Sequence, residues 1–256
     1  MENFTWSTFL IFLCVGFIAQ LVDGSMGMAY GVTTNSILLS IGISPSIASA
    51  SVHISKIFTT LASGLSHLKF KNSHGKIIKN LILPGIIGGV IGAFLLVKIP
   101  SSVIKPIISF YLLIMGVRIF IKAFNHVPGI QFKKIHYQIL GIFGGFFDAI
   151  GGGGWGPIVT SSLLSQDENP RKIIGSLNIA EFFVTVTESI VFIAGVGLAP
   201  ISIVLGLILG GILAAPLAAF LTSKIPIKAM YIIIGLVIIL MQVYIFVSFF
   251  GFFGLA

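Results

Sequence analysis

The stretch Asp23-Gly24-Ser25-Met26-Gly27-Met28-Ala29-Tyr30-Gly31 decides how this chain folds, because a related stretch follows it at an offset of 125 residues. The second copy reads Asp148-Ala149-Ile150-Gly151-Gly152-Gly153-Gly154-Trp155-Gly156. The same offset places Pro45 on Pro170. A repeat of this length in an apolar chain predicts two duplicated halves, and in transporters the working site lies where such halves meet.

The composition places this chain in a membrane. Hydrophobic residues make up 56% of it and charged residues 9%, whereas a soluble domain carries about 25% charged residues. The first apolar stretch, residues 4–22, has no basic flank before it and no small-residue cleavage site after it, so we expect a retained helix rather than a signal peptide. The single cysteine, Cys14, lies inside that stretch, which excludes an internal disulfide.

The net charge of +8 is concentrated in a few segments. Two basic clusters lie at Lys69, Lys71, Lys76 and Lys79, and at Arg118, Lys122, Lys133 and Lys134. By the positive-inside rule these clusters mark cytoplasmic loops, which leaves both termini external. We therefore expect a multi-pass protein of the cytoplasmic (inner) membrane that is embedded in the lipid bilayer and binds no nucleic acid.

Apolar segments divide evenly between the halves, which predicts an all-α polytopic membrane protein. They cover residues 4–22, 28–43, 47–67, 77–97 and 103–124, then 136–147, 155–164, 173–194, 200–222 and 227–250. Since each half has an odd number of segments, about five, we expect the second repeat to be inverted relative to the first. We predict a single transmembrane domain, 1–256, with repeats at about 4–124 and 136–250 joined by a basic cytoplasmic loop. A membrane span needs about 20 residues, and the second segment of each half is shorter than that. We therefore expect glycine-broken half-helices or re-entrant segments at the midplane. If these short segments are not counted as spans, about eight full transmembrane helices remain.

Four consecutive glycines, Gly151-Gly152-Gly153-Gly154, interrupt the second copy of the repeated stretch. They cannot form a stable helix interior, because each glycine costs about 1 kcal/mol relative to alanine. Pro157 suits the first turn of a following helix, whose N-terminus and free glycine N–H groups would form an anion site. Close crossing of helices is the alternative, whereas a substrate-lining role predicts that Gly153→Val blocks transport without unfolding the protein. The substrate-lining residues predicted at the two breaks are Gly27, Met28, Tyr30, Gly152, Gly153, Gly154 and Trp155.

The third helix of each half carries a polar stripe at helical spacing. The stripes consist of His53, Lys56, Thr60, Ser63 and His67 in the first half, and of Asn178, Glu181, Thr185 and Glu188 in the second. Because a charge is costly in a bilayer, both stripes should face the protein interior. Lys56 and Glu181 are repeat-equivalent and opposite in sign, so we expect an ion pair across the pseudo-twofold axis, with a purely structural pair as the alternative. Exchanging these two charges should then restore much of the stability that either single substitution removes.

The membrane segments carry candidate residues for binding an oxyanion and for coupling its transport to another ion. Hydroxyl, amide and cationic side chains bind oxyanions, and the candidates of these types in the third helices are Ser51, His53, Lys56, Ser176 and Asn178. Glu181 completes the predicted substrate-binding residues as the expected partner of Lys56. Asp23, Asp148 and Glu188 are candidates for ion coupling, because an ionisable group in a membrane is a functional candidate. For the two aspartates, capping of the following helix is the alternative. No spacing resembles a metal site or a phosphate loop, so neither a metal nor a cofactor is expected.

These motifs together are similar to those of a known family. The breaks, the prolines Pro45 and Pro170, and the strings Ala48-Ser49-Ala50-Ser51-Val52-His53 and Gly175-Ser176-Leu177-Asn178-Ile179-Ala180-Glu181-Phe182-Phe183 resemble the TauE/SafE family of sulfite exporters and related permeases. The resemblance covers nearly the whole chain and implies a secondary transporter for small sulfur-containing anions, sulfite or organosulfonates. Relatives commonly carry an acidic residue where this chain has Lys56.

The favoured function is therefore alternating-access transport of a small sulfur oxyanion across the cytoplasmic membrane, and not catalysis. Two alternatives remain open: a passive anion channel, and an intramembrane hydrolase that uses Asp23 and Asp148 as a carboxylate dyad. The sequence leaves the particular anion, the direction of transport and the coupling ion undecided. It equally allows a monomer or a homo-oligomer.

Overall fold

A computed structural model of the chain describes residues 4–124, 137–164, 170–221 and 227–249. Helices dominate these residues, and no strand occurs among them. The first half contains α1 (Trp6–Met26), α2 (Tyr30–Ser40), α3 (Pro45–Lys69), α4 (Gly75–Lys98) and α5 (Ser101–Lys122). The second half contains α6 (Tyr137–Gly151), a π-helical segment (Trp155–Thr160) that continues as α7 (Ser161–Leu164), α8 (Pro170–Val196), α9 (Ile201–Leu221) and α10 (Ile227–Phe249).

The observed helices confirm the all-α class and follow the predicted segments closely. Among the described residues, five stretches are long and apolar enough to cross a membrane: Trp6–Ser25, Gly75–Lys98, Ser101–Lys122, Arg171–Val196 and Ile201–Ala218. Helix α3 is as long as these, at 25 residues, but carries the polar stripe. The predicted linker 125–136, with Lys133 and Lys134, lies outside the described residues. The number of full spans, the repeat boundaries and the sidedness of the loops therefore stay predictions.

The two halves pack against each other through equivalent helices. Helix α1 lies against α9, while α6, the counterpart of α1, lies against α4, the counterpart of α9. Helix α3 packs on α8 and α5 packs on α10, so each of these pairs joins a helix to its own counterpart. Glycine permits close approach in these contacts, as where Gly16 faces the backbone of Leu207 and Gly88 faces the backbone of Ile142. Helices α4 and α9 flank the α3–α8 pair, which places the two polar stripes between the halves.

Each glycine break begins with the same backbone conformation. Gly27 follows the end of α1 with φ +68°, and its repeat-equivalent Gly152 follows the end of α6 with φ +69°. This left-handed region is accessible to glycine without the steric cost that a Cβ brings. The N–H of Gly27 donates to the carbonyl of Asp23 at 2.5 Å, which closes the last turn of α1. The repeated sequence thus ends the first helix of each half in the same way.

The two breaks cross each other at backbone distance. A Cβ on Gly31 would collide with the carbonyl oxygen of Gly152, and a Cβ on Gly153 would collide with the backbone nitrogen of Val32. The hydroxyl of Thr160 also donates to the Gly27 carbonyl across the same crossing, at 2.7 Å. Close packing therefore requires glycine here. This crowding argues against the expectation that Gly153→Val leaves the protein folded, because the position has no room for a side chain.

We predict that Gly153→Ala destabilises the protein, whereas Gly75→Ala does not. The methyl group at position 153 would lie 2.7 Å from the backbone carbonyl carbon of Gly31, and overpacking typically costs about 1–3 kcal/mol. Gly75 opens α4, and nothing lies within 4 Å of a Cβ built there. Thermal unfolding of the two purified variants in detergent measures the difference. Equal unfolding midpoints would contradict the crossing of the two backbones.

Candidate functional site

Helices from both halves bring ionisable side chains together in the protein interior. Helix α3 contributes His53 and Lys56, whose spacing of three residues puts them on one face of the helix. Helix α8 contributes Glu181 and Glu188, which are two turns apart on one face. Asp148 comes from the last turn of α6. All five side chains are buried, with Lys56 only 2% exposed and Asp148 fully buried.

Lys56 contacts two carboxylates of the second half. Its Nζ lies 2.6 Å from Oε1 of Glu181, which confirms the predicted pair. The same ammonium donates to Asp148, at 2.9 Å to Oδ2 and 3.1 Å to Oδ1. This second contact argues against the expectation that a Lys56–Glu181 charge exchange restores stability. A glutamate at position 56 would face the carboxylate of Asp148.

His53 extends the pairing to Glu188. Its Nε2 lies 2.9 Å from Oε2 of Glu188 and 3.4 Å from Oδ2 of Asp148. Its other ring nitrogen, Nδ1, lies 2.7 Å from the carbonyl oxygen of Ser49, which can only accept, so Nδ1 carries a proton. The short distance from Nε2 to Glu188 then requires a second proton, on the ring or on the carboxyl group. Acidic and basic groups thus alternate in the order Glu181, Lys56, Asp148, His53 and Glu188, a set called the charge chain below.

The two repeated aspartates cap the segments that follow the glycine breaks. Oδ1 of Asp23 accepts the N–H of Tyr30 at 3.2 Å, and Oδ1 of Asp148 accepts the N–H of Trp155 at 3.1 Å. Each aspartate thus accepts the first N–H of the following segment, in the manner of the capping alternative, although Asp23 lies inside α1 and the N-cap residue of α2 is Ala29. In this structure the positive end of each broken helix already faces a carboxylate. The ion-coupling role of the two aspartates stays a prediction.

The remaining predicted site residues divide into two groups. The Ser51 hydroxyl donates to a carbonyl of its own helix at 2.8 Å. Ser176 accepts the N–H of His74 at 2.7 Å and so holds the turn before α4, away from the charge chain. The Asn178 amide donates to the carbonyl of Ile174 at 2.9 Å, and its oxygen has no hydrogen-bond partner among the described residues. The other group is buried at the crossing of the breaks and comprises Gly27, Met28, Tyr30, Gly152, Gly153, Gly154 and Trp155.

The structure adds residues that the sequence analysis did not select. Gly89 of α4 faces Glu188, and a Cβ at position 89 would collide with Oε1 of that carboxylate. The ring of Phe192 lies 5.4 Å from the ring of His53. Gly89 belongs to a Gly88-Gly89 pair, which in the sequence resembles any small-residue helix contact. Only the packing of α4 on α8 reveals that it makes room for a charged group.

Part of the charge chain also has the composition of a metal site. Among the described residues, ligand atoms of His53, Asp148 and Glu188 lie within 4.8 Å of one another. The Lys56 ammonium, however, lies 2.9 Å from Oδ2 of Asp148, the oxygen that is also 3.4 Å from Nε2 of His53. A metal ion placed there would meet this positive charge at close range. The geometry therefore favours an ion-pair network over a metal centre.

Removing the charge of Lys56 should be more damaging than removing that of Glu181. Lys56→Met leaves Asp148 and Glu181 without their ammonium, whereas Glu181→Gln leaves Lys56 paired with Asp148. An unpaired buried charge typically costs about 3–5 kcal/mol. A double-mutant cycle on thermal unfolding should give a clear coupling energy, and the exchange of the two charges should not restore stability. A coupling energy near zero would contradict the contact.

The two repeat-equivalent aspartates provide a second, internally controlled prediction. Asp23→Asn keeps a side-chain oxygen that can accept the Tyr30 N–H, so it should cost little, and Asp23→Ala should cost about 0.5–2 kcal/mol. Asp148→Asn also keeps the cap but removes the charge that faces Lys56, so it should destabilise far more than Asp23→Asn. Thermal unfolding of the three variants is the measurement. Similar losses for the two asparagine variants would contradict the asymmetric pairing.

Comparison with known proteins agrees with this architecture. Residues 12–245 match the family described as sulfite exporter TauE/SafE. The chain is 40% identical over 242 residues to the probable membrane transporter protein YtnM of Bacillus subtilis (strain 168), a match that covers 91% of this chain and 81% of that protein. No solved structure matches the chain. The resemblance drawn from the repeated motifs is thereby confirmed.

Proposed function

Because this chain belongs to the TauE/SafE family of sulfite exporters and is a multi-pass membrane transporter, we propose that it carries a small sulfur-containing oxyanion by alternating access. Sulfite and organosulfonates are the substrates that this family name makes the first to test. The proposed transport is secondary, since no phosphate-binding loop for nucleotide hydrolysis occurs in the sequence.

The charge chain is the observation that carries this proposal. Burying five ionisable groups among apolar helices costs free energy, and ionisable groups inside membrane proteins mark substrate or ion pathways. Helix α3 of the first half supplies the two basic groups, and helices α6 and α8 of the second half supply the carboxylates. The pathway would then lie between the halves, where relative movement of the halves can open it to either side.

The packing supports an inverted repeat as the basis of that movement. The contact of α1 with α9 becomes the contact of α6 with α4 when the halves are exchanged, and the α3–α8 and α5–α10 pairs map onto themselves. Such a relation is the one expected for helices around a pseudo-twofold axis. A rocking motion about the α3–α8 contact would expose the charge chain alternately to the two sides. The basic loop at Lys71 is proposed to be cytoplasmic.

The cations Lys56 and His53 are the groups that we propose to meet the anion. Arrangements of this kind bind oxyanions through charge-assisted hydrogen bonds. The hydrolase alternative would need two carboxylates that share a proton. Asp148 instead accepts hydrogen bonds from the Lys56 ammonium and from the N–H of Trp155. Asp23 accepts a hydrogen bond from the N–H of Tyr30. These contacts favour transport over hydrolysis.

Uptake into proteoliposomes tests the function. We expect saturable uptake and counterflow of at least one anion among sulfite, thiosulfate, sulfate and sulfoacetate, with protein-free vesicles as the control. A carrier saturates and exchanges labelled for unlabelled anion, whereas a channel gives conductance without counterflow. Absence of uptake for all four anions would contradict the proposed substrate class. Conductance without saturation would favour the channel.

A further inference from the structure

Glu188 is held differently from the other carboxylates of the charge chain. Asp148 accepts hydrogen bonds from the Lys56 ammonium and from the backbone N–H of Trp155. Glu181 lies 2.6 Å from the same ammonium. Glu188 is fully buried, and it lacks the second polar partner that Asp148 has among the described residues. Its close polar neighbour is Nε2 of His53, at 2.9 Å. Glu188 is therefore the carboxylate with the weakest fixed partners.

The charges of the chain do not balance when every group is ionised. Lys56 and a protonated His53 supply two positive charges against three carboxylates, which leaves one negative charge in surplus. Helix α4 packs on α8 and presents Gly89 to Glu188, while its three lysines, Lys76, Lys79 and Lys98, lie near its two ends. Asp23, on α1, is a further buried carboxylate outside the charge chain and adds to the negative charge around it. A buried surplus charge is costly, so the charge chain is poised to take up a positive charge.

The other half of the molecule shows that the fold itself does not need this charge. The position equivalent to Glu188 is Ser63, and the position equivalent to His53 is Asn178. Both of these neutral residues are buried at the α3–α8 contact, as Glu188 and His53 are. The same scaffold thus accommodates two uncharged residues at one set of equivalent positions and two ionisable residues at the other. Packing alone does not explain why Glu188 is ionisable.

Resting on the proposed transport function, we propose that Glu188 is the proton-coupling residue and acts as an internal substitute for the transported anion. When Glu188 is ionised, its carboxylate forms an ion pair with the His53 cation, so this cation cannot bind the transported anion. When Glu188 takes a proton from the solution, its ion pair with His53 ends and the His53 cation becomes available to a sulfur oxyanion. One proton therefore enters the site with each anion.

The charge balance of this step has a measurable consequence. An O–H bond forms on Glu188, and His53 keeps its own protons throughout. The charge chain changes from one surplus negative charge to none on protonation, and a monovalent anion restores the original value. Proton and monovalent anion thus bind together without changing the charge of the site. Uptake of a monovalent anion such as hydrogensulfite should follow the pH gradient and should not respond to membrane potential, whereas a divalent anion carried with one proton should respond to both.

The geometry favours a proton over a metal cation. Nε2 of His53 and Oε2 of Glu188 are already 2.9 Å apart, in direct contact. The Lys56 ammonium lies against the neighbouring Asp148 carboxylate and would repel a second cation. A proton adds no volume and binds to a single oxygen. Sodium dependence of uptake would contradict this assignment.

The first experiment compares wild type, Glu188→Gln and Ser189→Ala in proteoliposomes. The probe is sulfite, or whichever of thiosulfate, sulfate and sulfoacetate the wild type takes up best. All variants are assayed with the same probe, so a change in the protonation of the probe with pH affects their KM values equally. The ratio of two KM values is therefore independent of it. We expect the wild-type KM, relative to that of Glu188→Gln, to fall by up to about tenfold for each unit of acidification, as linkage to one proton requires. Glu188→Gln should exchange anion without driving accumulation from a pH gradient.

The controls use residues close in structure to Glu188. Ser189→Ala changes the next buried residue of α8 and should keep the wild-type pH profile. If Glu188→Gln does not fold, Glu188→Ser provides the group that the first half already has at Ser63. An unchanged pH profile in the variant that folds would overturn the proposal.

Infrared difference spectra of the purified protein supply a readout that needs no substrate. Acidification should produce the C=O band of a protonated carboxyl group in the wild type and in Asp23→Asn, and this band should be missing in Glu188→Gln. A band that persists in Glu188→Gln would overturn the assignment of the proton to Glu188. If the band behaves as expected but the wild type takes up none of the four anions, the proposed transport function fails and the coupling to an anion fails with it. If uptake occurs and the band is absent from the wild type, only the proton site fails.

Discussion

The contact of one ammonium group with two carboxylates from the opposite half governs this structure. Nζ of Lys56 lies 2.6 Å from Glu181 and 2.9 Å from Asp148, and all three groups are buried. A buried charge is tolerated only when it is paired, and removal of one partner leaves an uncompensated charge in a medium of low dielectric constant. Lys56 belongs to the first half and both carboxylates to the second. Lys56 is therefore paired only when the two halves are docked.

Asp148 connects this contact to the glycine break. Its Oδ1 accepts the N–H of Trp155 at 3.1 Å and lies 3.1 Å from the Lys56 ammonium. The start of the broken helix and the central cation thus share one carboxylate, so movement of either changes the surroundings of the other. Asp23 caps its own break through Tyr30 in the same geometry. Lys56, however, contacts Asp148, so the halves share their backbone architecture but differ in charge.

The two halves share a similar backbone packing but differ in where their ionisable groups lie. The duplicated backbone provides two similar packing arrangements, which relative movement of the halves needs. The ionisable groups are placed unevenly: α3 has His53 where α8 has Asn178, and α8 has Glu188 where α3 has Ser63. In the proposed transport cycle, a single cluster of charges would serve both sides of the protein. A molecule with two identical clusters would place twice the buried charge in the same interior, at greater cost.

The sequence by itself determined the helical class, the places where helices break, and the Lys56–Glu181 contact. These follow from local pattern and from the repeat offset, since helical spacing fixes the face of a residue and the duplication fixes its counterpart. Only the tertiary structure decided that Asp148 is a second partner of Lys56, that Asp23 and Asp148 cap the broken helices, and that Gly153 is required for close packing. Spacing along one helix says nothing about which residue of another helix lies opposite, because that depends on how closely the backbones approach. At the crossing of the two breaks that approach is set by glycine, and it places the charged groups within contact distance.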